Sequence, residues 1–223
     1  MRRVLLLLAL MAATLVVASG LAWAVNKVGT NGPDTLRGTN GSDNLLGKGG
    51  DDVLFGLGGR DNLLGGEGKD WVLGGNERRP LEVDKNLVGG PGNDGVLGGL
   101  GSDNLAGTSG NDFADGGPGA DDVSGGDGTD YLLDGERRGG QTDYLTGGDG
   151  NDALDPFNKP AKRDFVTCGS GFDRVLADTE DVVAPDCEKV AVGLAAASEL
   201  NQQLEESGFF ERIFEGLAPS PIG

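Results

Sequence analysis

Along most of the chain one apolar side chain recurs every nine residues, set between outward-type positions and preceded by a glycine-rich turn. Leu36, Leu45, Leu54, Leu63 and Val72 form a first series, and Val96, Leu105, Ala114, Val123 and Leu132 form a second. The segments are GTNGPDTLR from Gly29, GTNGSDNLL, GKGGDDVLF, GLGGRDNLL and GGEGKDWVL, then, from Gly89, GGPGNDGVL, GGLGSDNLA, GTSGNDFAD, GGPGADDVS and GGDGTDYLL. A 15-residue stretch, GGNERRPLEVDKNLV, separates the two blocks of five. After them come a 13-residue variant ending Asp143-Tyr144-Leu145-Thr146, GGDGNDALD from Gly147, a 12-residue variant containing Asp164, and CGSGFDRVL from Cys168. Position 1 is Gly, position 4 is Gly, position 6 is Asp and position 8 is Leu or Val in most of these. Gly at positions 1 and 4 suits a tight turn with positive φ. Positions 7 to 9 carry one apolar residue between two outward ones, which predicts a three-residue strand with position 8 on a core. Turn and short strand therefore alternate throughout.

Composition narrows the chemistry. There are 43 Gly among 223 residues and only 5% aromatics, too few large side chains for a deep core. The chain has no His, which excludes Ser-His-Asp and Cys-His nucleophile systems and His-bearing zinc sites, and its two Cys cannot make a Cys-only four-ligand site. Residues 1–24 read as a secretory signal: basic Arg2 and Arg3, an apolar run from Val4 to Val17, and the small-x-small site Ala22-Trp23-Ala24. Cleavage near Ala24 removes two Arg and no acid, so the net charge of −18 becomes −20. So anionic a chain repels nucleic acid and anionic membrane surfaces, and no stable membrane insertion is expected after cleavage. Its natural partners are cations.

The GGxGxDxUx frame resembles the calcium-binding nonapeptide of the repeats-in-toxin (RTX, hemolysin-type) family. Eleven segments fit Gly-x-x-Gly-x-Asp without an internal gap, and the segment from Cys168 fits with Cys replacing the first Gly. The resemblance implies an all-β fold, a parallel β-roll or β-solenoid over residues 25–176, with two nonapeptides per coil of 18. It also implies multiple Ca2+ ions held between stacked turns by position-6 carboxylates and glycine-turn carbonyls. The implied ligands are Asp34, Asp43, Asp52, Asp61, Asp70, Asp94, Asp103, Asp112, Asp121, Asp130, Asp143, Asp152, Asp164 and Asp173. Hard oxygen donors at several points around one ion agree with calcium, whose irregular shell of six to eight oxygens suits such a site. Each nine orders many residues for one or two buried aliphatic groups, and stacked carboxylates repel, so folding and calcium binding are expected to be one event.

In a roll, successive nines lie on opposite edges. Counting turns places Asp34, Asp52, Asp70, Asp94, Asp112, Asp130, Asp152 and Asp173 in one continuous row; the alternative is that the segment from Gly74 to Val88 makes no strand and swaps the edge of everything downstream. The irregular segments at 74, 134 and 156 all fall on the other edge, where Asp43 with Asp61 and Asp103 with Asp121 are regular neighbours and Asp143 and Asp164 sit on longer loops. Basic residues gather there: Glu77-Arg78-Arg79, Glu136-Arg137-Arg138, and Lys159, Lys162 and Arg163. They read either as solvated loops that relieve local charge or as a docking edge for a cell-surface or extracellular partner.

Cys168 and Cys187, the only cysteines in a chain with a secretory signal, are expected to form a disulfide, with two thiols as the alternative. The passage from Val166-Thr167-Cys168-Gly169 to Asp186-Cys187-Glu188-Lys189-Val190 looks like the terminal cap of secreted proteins of this repeat type, which gives a disulfide-linked cap at 177–192. Residues 193–223 form an amphipathic or disordered tail: Leu200, Leu204, Phe209, Phe210, Ile213 and Phe214 suggest short helices interrupted at Gly208, either loosely packed or docked on the roll or a partner. The expected function is that of a secreted, extracellular calcium-binding structural or interaction protein, not an enzyme. The alternatives are a secreted carboxylate-based hydrolase, which needs two acids flanking a cleft, and an adhesive or ice-binding solenoid surface, suggested by Thr30-Asn31 and Thr39-Asn40.

Overall fold

The computed structural model of the chain describes residues 23–76, 86–135, 140–156, 158, 161–193, 202–206, 208, 209, 211 and 213. Its strands are β1 (Asn26–Val28), β2 (Thr35–Arg37), β3 (Asn44–Gly49), β4 (Val53–Leu57), β5 (Asn62–Glu67), β6 (Trp71–Asn76), β7 (Asn86–Pro91), β8 (Gly95–Leu100) and β9 (Asn104–Ser109). They continue as β10 (Phe113–Asp115), β11 (Asp122–Gly128), β12 (Tyr131–Leu133), β13 (Tyr144–Gly150), β14 (Ala153–Asp155), β15 (Phe165–Gly171), β16 (Arg174–Ala177), β17 (Val182–Val183) and β18 (Lys189–Val192). Odd-numbered strands make one nine-stranded sheet and even-numbered strands a second, each in strict sequence order. Every pairing is parallel, as in Leu45↔Leu63 and Leu54↔Val72, where the register step is one coil of two nines. This is the all-β, parallel β-solenoid expected of the sequence.

The period of nine produces this arrangement directly. Position 8 of alternate nines faces inward from opposite sheets, so Leu45, Leu63, Leu87, Leu105, Val123, Leu145 and Val166 meet Leu54, Val72, Val96, Ala114, Leu132, Leu154 and Val175 in one buried column. That core is two side chains thick. Longer segments do not disturb it. The step is 24 residues at Leu63↔Leu87, 22 at Val123↔Leu145 and 21 at Leu145↔Val166, and the inward pairing is kept at each. Strands β3 to β9 and the odd-sheet strands β11, β13 and β15 are longer than the expected three residues, because the ladder continues into the next turn, as in Gly126↔Gly148.

From Lys48 onward, position 2 of the described turns takes positive φ. Gly66 and Gly75 supply it at 120° and 124°, while the residues paired with them, Lys48 and Leu57, hold 88° and 84°, and Thr108 holds 99° between Gly90 and Gly126. A side chain there is strained, a branched one most of all. Thr108→Gly is therefore expected to raise stability, by up to about 1 kcal/mol after allowing for glycine's own entropy cost. Thermal melting in excess calcium checks it, and a lower melting temperature would contradict the strain argument.

Beyond the last regular nine, β17 pairs with β15 and β18 with β16, so residues 182–192 add one more rung to each sheet. A disulfide joins Cys168 to Cys187 with their Cα atoms 5.2 Å apart, tying that rung to the preceding turn. Such a bridge contributes on the order of 3 kcal/mol in the chain-entropy picture. Among the described residues no helix is long and apolar enough to cross a membrane. The expected signal segment (apart from Trp23 and Ala24), the basic groups 77–79 and 136–138, Lys159, and Leu200, Phe210 and Phe214 lie outside the described residues.

Candidate functional site

Each position-6 Asp closes its turn and immediately precedes a strand, so parallel stacking brings equivalent carboxylates into rows. The first row is continuous. The backbone N–H of Asp34 donates to Oδ1 of Asp52 (2.7 Å), Asp52 to Asp70 (2.8 Å), Asp70 to Asp94 (2.8 Å) and Asp94 to Asp112 (2.8 Å). The chain of bonds continues from Asp112 to Asp130 (2.8 Å), Asp130 to Asp152 (2.9 Å) and Asp152 to Asp173 (2.8 Å). Asp70 and Asp94 thus share an edge despite the long segment between them. The row ends where Asp173 N–H donates to Glu188 Oε2 at 2.8 Å, a glutamate of the cap standing in for the next aspartate.

The second row behaves similarly. Asp43 N–H donates to Asp61 Oδ1 (2.8 Å) and Asp103 N–H to Asp121 Oδ1 (2.8 Å), the two regular pairs. It also runs on through the longer loops, from Asp121 to Asp143 (2.6 Å), Asp143 to Asp164 (2.9 Å) and Asp164 to Asp181 (3.1 Å). This edge is less interrupted than the loop lengths suggest. The reason is that the strand ladder, Tyr144 N–H to Asp121 O and Phe165 N–H to Asp143 O at 2.9 Å each, fixes positions 6 to 8 whatever the loop does.

From Asp52 to Asp173 each first-row carboxylate thereby uses its Oδ1. Oδ2 of Asp52, Asp70, Asp94, Asp112, Asp130, Asp152 and Asp173 is buried with no hydrogen-bond partner. A buried unsatisfied carboxylate oxygen is costly, and a row of them more so. From Asp52 to Asp152 these atoms face the position-1 glycines, and Asp34 Oδ2, which accepts from Thr30, faces Gly29 likewise. A Cβ at Gly29 would lie 2.7 Å from Asp34 Oδ2 and 2.5 Å from the Gly47 carbonyl oxygen, and one at Gly147 would lie 2.6 Å from Asp152 Oδ2 and 2.5 Å from the Cys168 carbonyl oxygen. Cβ atoms at Gly47, Gly65, Gly89, Gly107 and Gly125 would likewise collide with Oδ2 of Asp52, Asp70, Asp94, Asp112 and Asp130. The first row thus contains seven cradles lined by hard oxygen and closed to any side chain, a donor set that fits calcium.

Electrostatics point the same way. Burial pushes Asp70 up to about 6, Asp130 to about 7 and Asp94, Asp112 and Asp152 to about 8; neighbouring carboxylates raise them further and accepted backbone N–H groups partly offset the rise. Burial raises Asp52 and Asp173 as well. Asp34, at the open end, is lowered instead, by the backbone N–H and then the hydroxyl of Thr30. The interior of the row therefore resists ionisation until a cation is near.

Three residues of the second edge escaped the repeat frame. Asp134 stands at position 1, where regular turns have Gly, and its carboxylate oxygens lie with those of Asp143 and Asp164 within 4.8 Å of one another. Asn158 bridges them, its Nδ2 donating to Asp134 Oδ2 (3.3 Å) and Asp164 Oδ2 (2.9 Å). Asp181, which reads in the sequence only as part of the cap, completes the row. The available signal was register: Val182 follows Asp181 and pairs with Phe165 as position 7. Of the basic residues assigned to this edge, Lys162 and Arg163 are exposed beside Asp164.

The family model of the RTX calcium-binding nonapeptide repeat matches residues 28–63, 46–77, 86–103, 97–132 and 139–155. The stretches it leaves out between these matches coincide with the irregular segments after each block of five. No curated protein matches the chain.

Proposed function

Because the chain belongs to the RTX calcium-binding nonapeptide repeat family, we propose that it acts as a secreted structural and interaction module, with Asp34, Asp52, Asp70, Asp94, Asp112, Asp130, Asp152 and Asp173 as one ligand row and Asp43, Asp61, Asp103, Asp121, Asp143 and Asp164 as the other. The observation that carries this reading is the set of buried, unpartnered Oδ2 atoms facing position-1 glycines, in register from coil to coil. Bound calcium supplies the positive charge that lets neighbouring carboxylates ionise together. The chain's own part is to hold each Oδ1 on a backbone N–H, turn each Oδ2 toward a glycine carbonyl, and exclude side chains from the space between. No step of this role transforms a substrate. Residues 1–24 direct export and are cut near Ala24, residues 177–192 protect the last coil, and Lys162 and Arg163 belong to an edge suited to an acidic or polyanionic extracellular partner.

One experiment addresses the reading. Chains expressed with their own N-terminus and recovered from the medium should begin at Val25 by mass spectrometry, and calorimetric titration then compares Asp112→Ala with Asp43→Ala. Asp112 lies inside its row, accepting from Asp94 and donating to Asp130, whereas Asp43 at the open end donates to Asp61 and accepts from Val25 N–H (2.6 Å) and from the N–H and hydroxyl of its own turn's Thr39. Asp112→Ala is expected to lose more bound calcium and on the order of 1 to 3 kcal/mol more stability. Equal losses would count against the rows as ligand columns, and retention of residues 1–24 would count against export.

A further inference from the structure

Position 7 of each nine points outward. On the odd sheet such residues are left to solvent: Tyr144 and Phe165 stack with ring centroids 5.1 Å apart while remaining 52% and 36% exposed. On the even sheet several position-7 residues are covered instead, Trp71 of β6 among them. Phe113, Tyr131 and Ala153 are neighbours across β10, β12 and β14, and they pack with Leu204, Phe209 and Ile213 of the C-terminal segment in a second cluster separate from the roll's core. All three tail side chains are fully buried. Tyr131 meets Phe113 at 6.0 Å and, edge to face, Phe209 at 6.2 Å between ring centroids. Lys189 Nζ on β18 donates to Gln203 Oε1 within the helical stretch 202–206, so the segment is held at the last rung as well.

We propose that the outer face of the even sheet across β10, β12 and β14 is a receptor surface for this chain's own Leu204, Phe209 and Ile213, and that the two form a calcium-controlled latch. Phe113, Tyr131 and Ala153 lie 18 and 22 residues apart in sequence, and only the stacking of three successive coils makes them one surface. The latch rests on the calcium-binding reading. The turns that precede these strands carry Asp112, Asp130 and Asp152, interior members of the first row, so the surface forms when that stretch of the row is loaded and disappears when it empties. Loss of calcium then releases Leu204, Phe209 and Ile213 as a tethered apolar segment, while calcium hides them.

Hydrogen exchange of residues 202–213, read by mass spectrometry on the full chain, tests the latch, with far-UV circular dichroism and bound calcium measured in parallel. In excess calcium the wild-type segment should exchange at least about tenfold more slowly than in chelator. Phe209→Asp should remove that protection while leaving the β-sheet signal and bound calcium unchanged. Leu204→Asp, a second change confined to the tail, should do the same. If the loaded wild type exchanges as fast as either variant, the latch is overturned and the calcium rows stand. Protection that survives chelator after the β-sheet signal is lost overturns calcium control of the latch. A β-sheet signal indifferent to chelator overturns the calcium reading itself, and with it the control of the latch.

Discussion

At alkaline pH, removing calcium is expected to abolish the β-sheet circular dichroism of the chain, and adding it back to restore that signal cooperatively. The core supplies one inward aliphatic or alanine side chain per nine residues, and the first row alone buries seven Oδ2 atoms without partners. Extracellular calcium modules bind with Kd of roughly 10⁻⁴ to 10⁻³ M, so at about 10 mM calcium each site adds roughly 1.4 to 2.7 kcal/mol to the folded state. Seven cradles at that value match or exceed the whole net stability of a typical domain, about 5 to 15 kcal/mol. The transition should be steep, because each rung shares hydrogen bonds with the next and a loaded turn presents a formed neighbour to the following one. The check is a titration followed at the β-sheet band, with thermal melts at each end. Equal spectra and equal melting temperatures in chelator and in calcium would refute it.

The second large effect is a reversal of pH dependence between the two states. Without calcium, burial raises Asp52, Asp70, Asp94, Asp112, Asp130, Asp152 and Asp173 in the folded roll, with values from about 6 to about 8 where the rise is largest. In the unfolded chain the same groups titrate near the ordinary carboxylate value of about 3.9. A raised folded pKa means that the fold holds more protons than the unfolded chain, so the contribution of these groups is fully present below about pH 4 and is lost as pH rises through about 6 to 8. In chelator, then, the roll should gain structure near pH 4 to 5 and lose it by pH 9. With calcium in excess the sign is opposite: protons compete with the ions for the same oxygens, and acidification strips them. Circular dichroism against pH in both conditions measures this. Parallel curves, or a chelated chain more structured at pH 9 than at pH 5, would show that the carboxylate rows do not govern folding.

Much of this architecture is written in the chain one nonapeptide at a time. Gly at position 4, Asp at position 6 and Leu or Val at position 8 act within their own nine residues, through local turn geometry and a single inward side chain. The period therefore yields the coil and the parallel sheets without any long-range information, whereas Asp70 and Asp94 share an edge only because the non-periodic segment between them leads into β7. The site rows follow equally, since stacking identical turns must stack identical carboxylates. The disulfide was legible for a different reason, being the one pairing open to two cysteines.

What the tertiary structure decided lies where the period fails. The 13- and 12-residue segments keep Asp143 and Asp164 in the second row because backbone ladder bonds, not loop length, set the position of the residues after the turn. Glu188 and Asp181 end the two rows because the cap is placed one rung above them by pairing with β16 and β15, a placement that no nonapeptide pattern specifies. Asp134 joins Asp143 and Asp164 because its turn breaks the glycine rule at position 1, where a side chain is directed into the row. The burial of Leu204, Phe209 and Ile213 against Phe113, Tyr131 and Ala153 was open between docking and a loose tail. An amphipathic segment states only that it has an apolar side; which surface covers that side depends on three coils being stacked, and that is a property of the assembled roll.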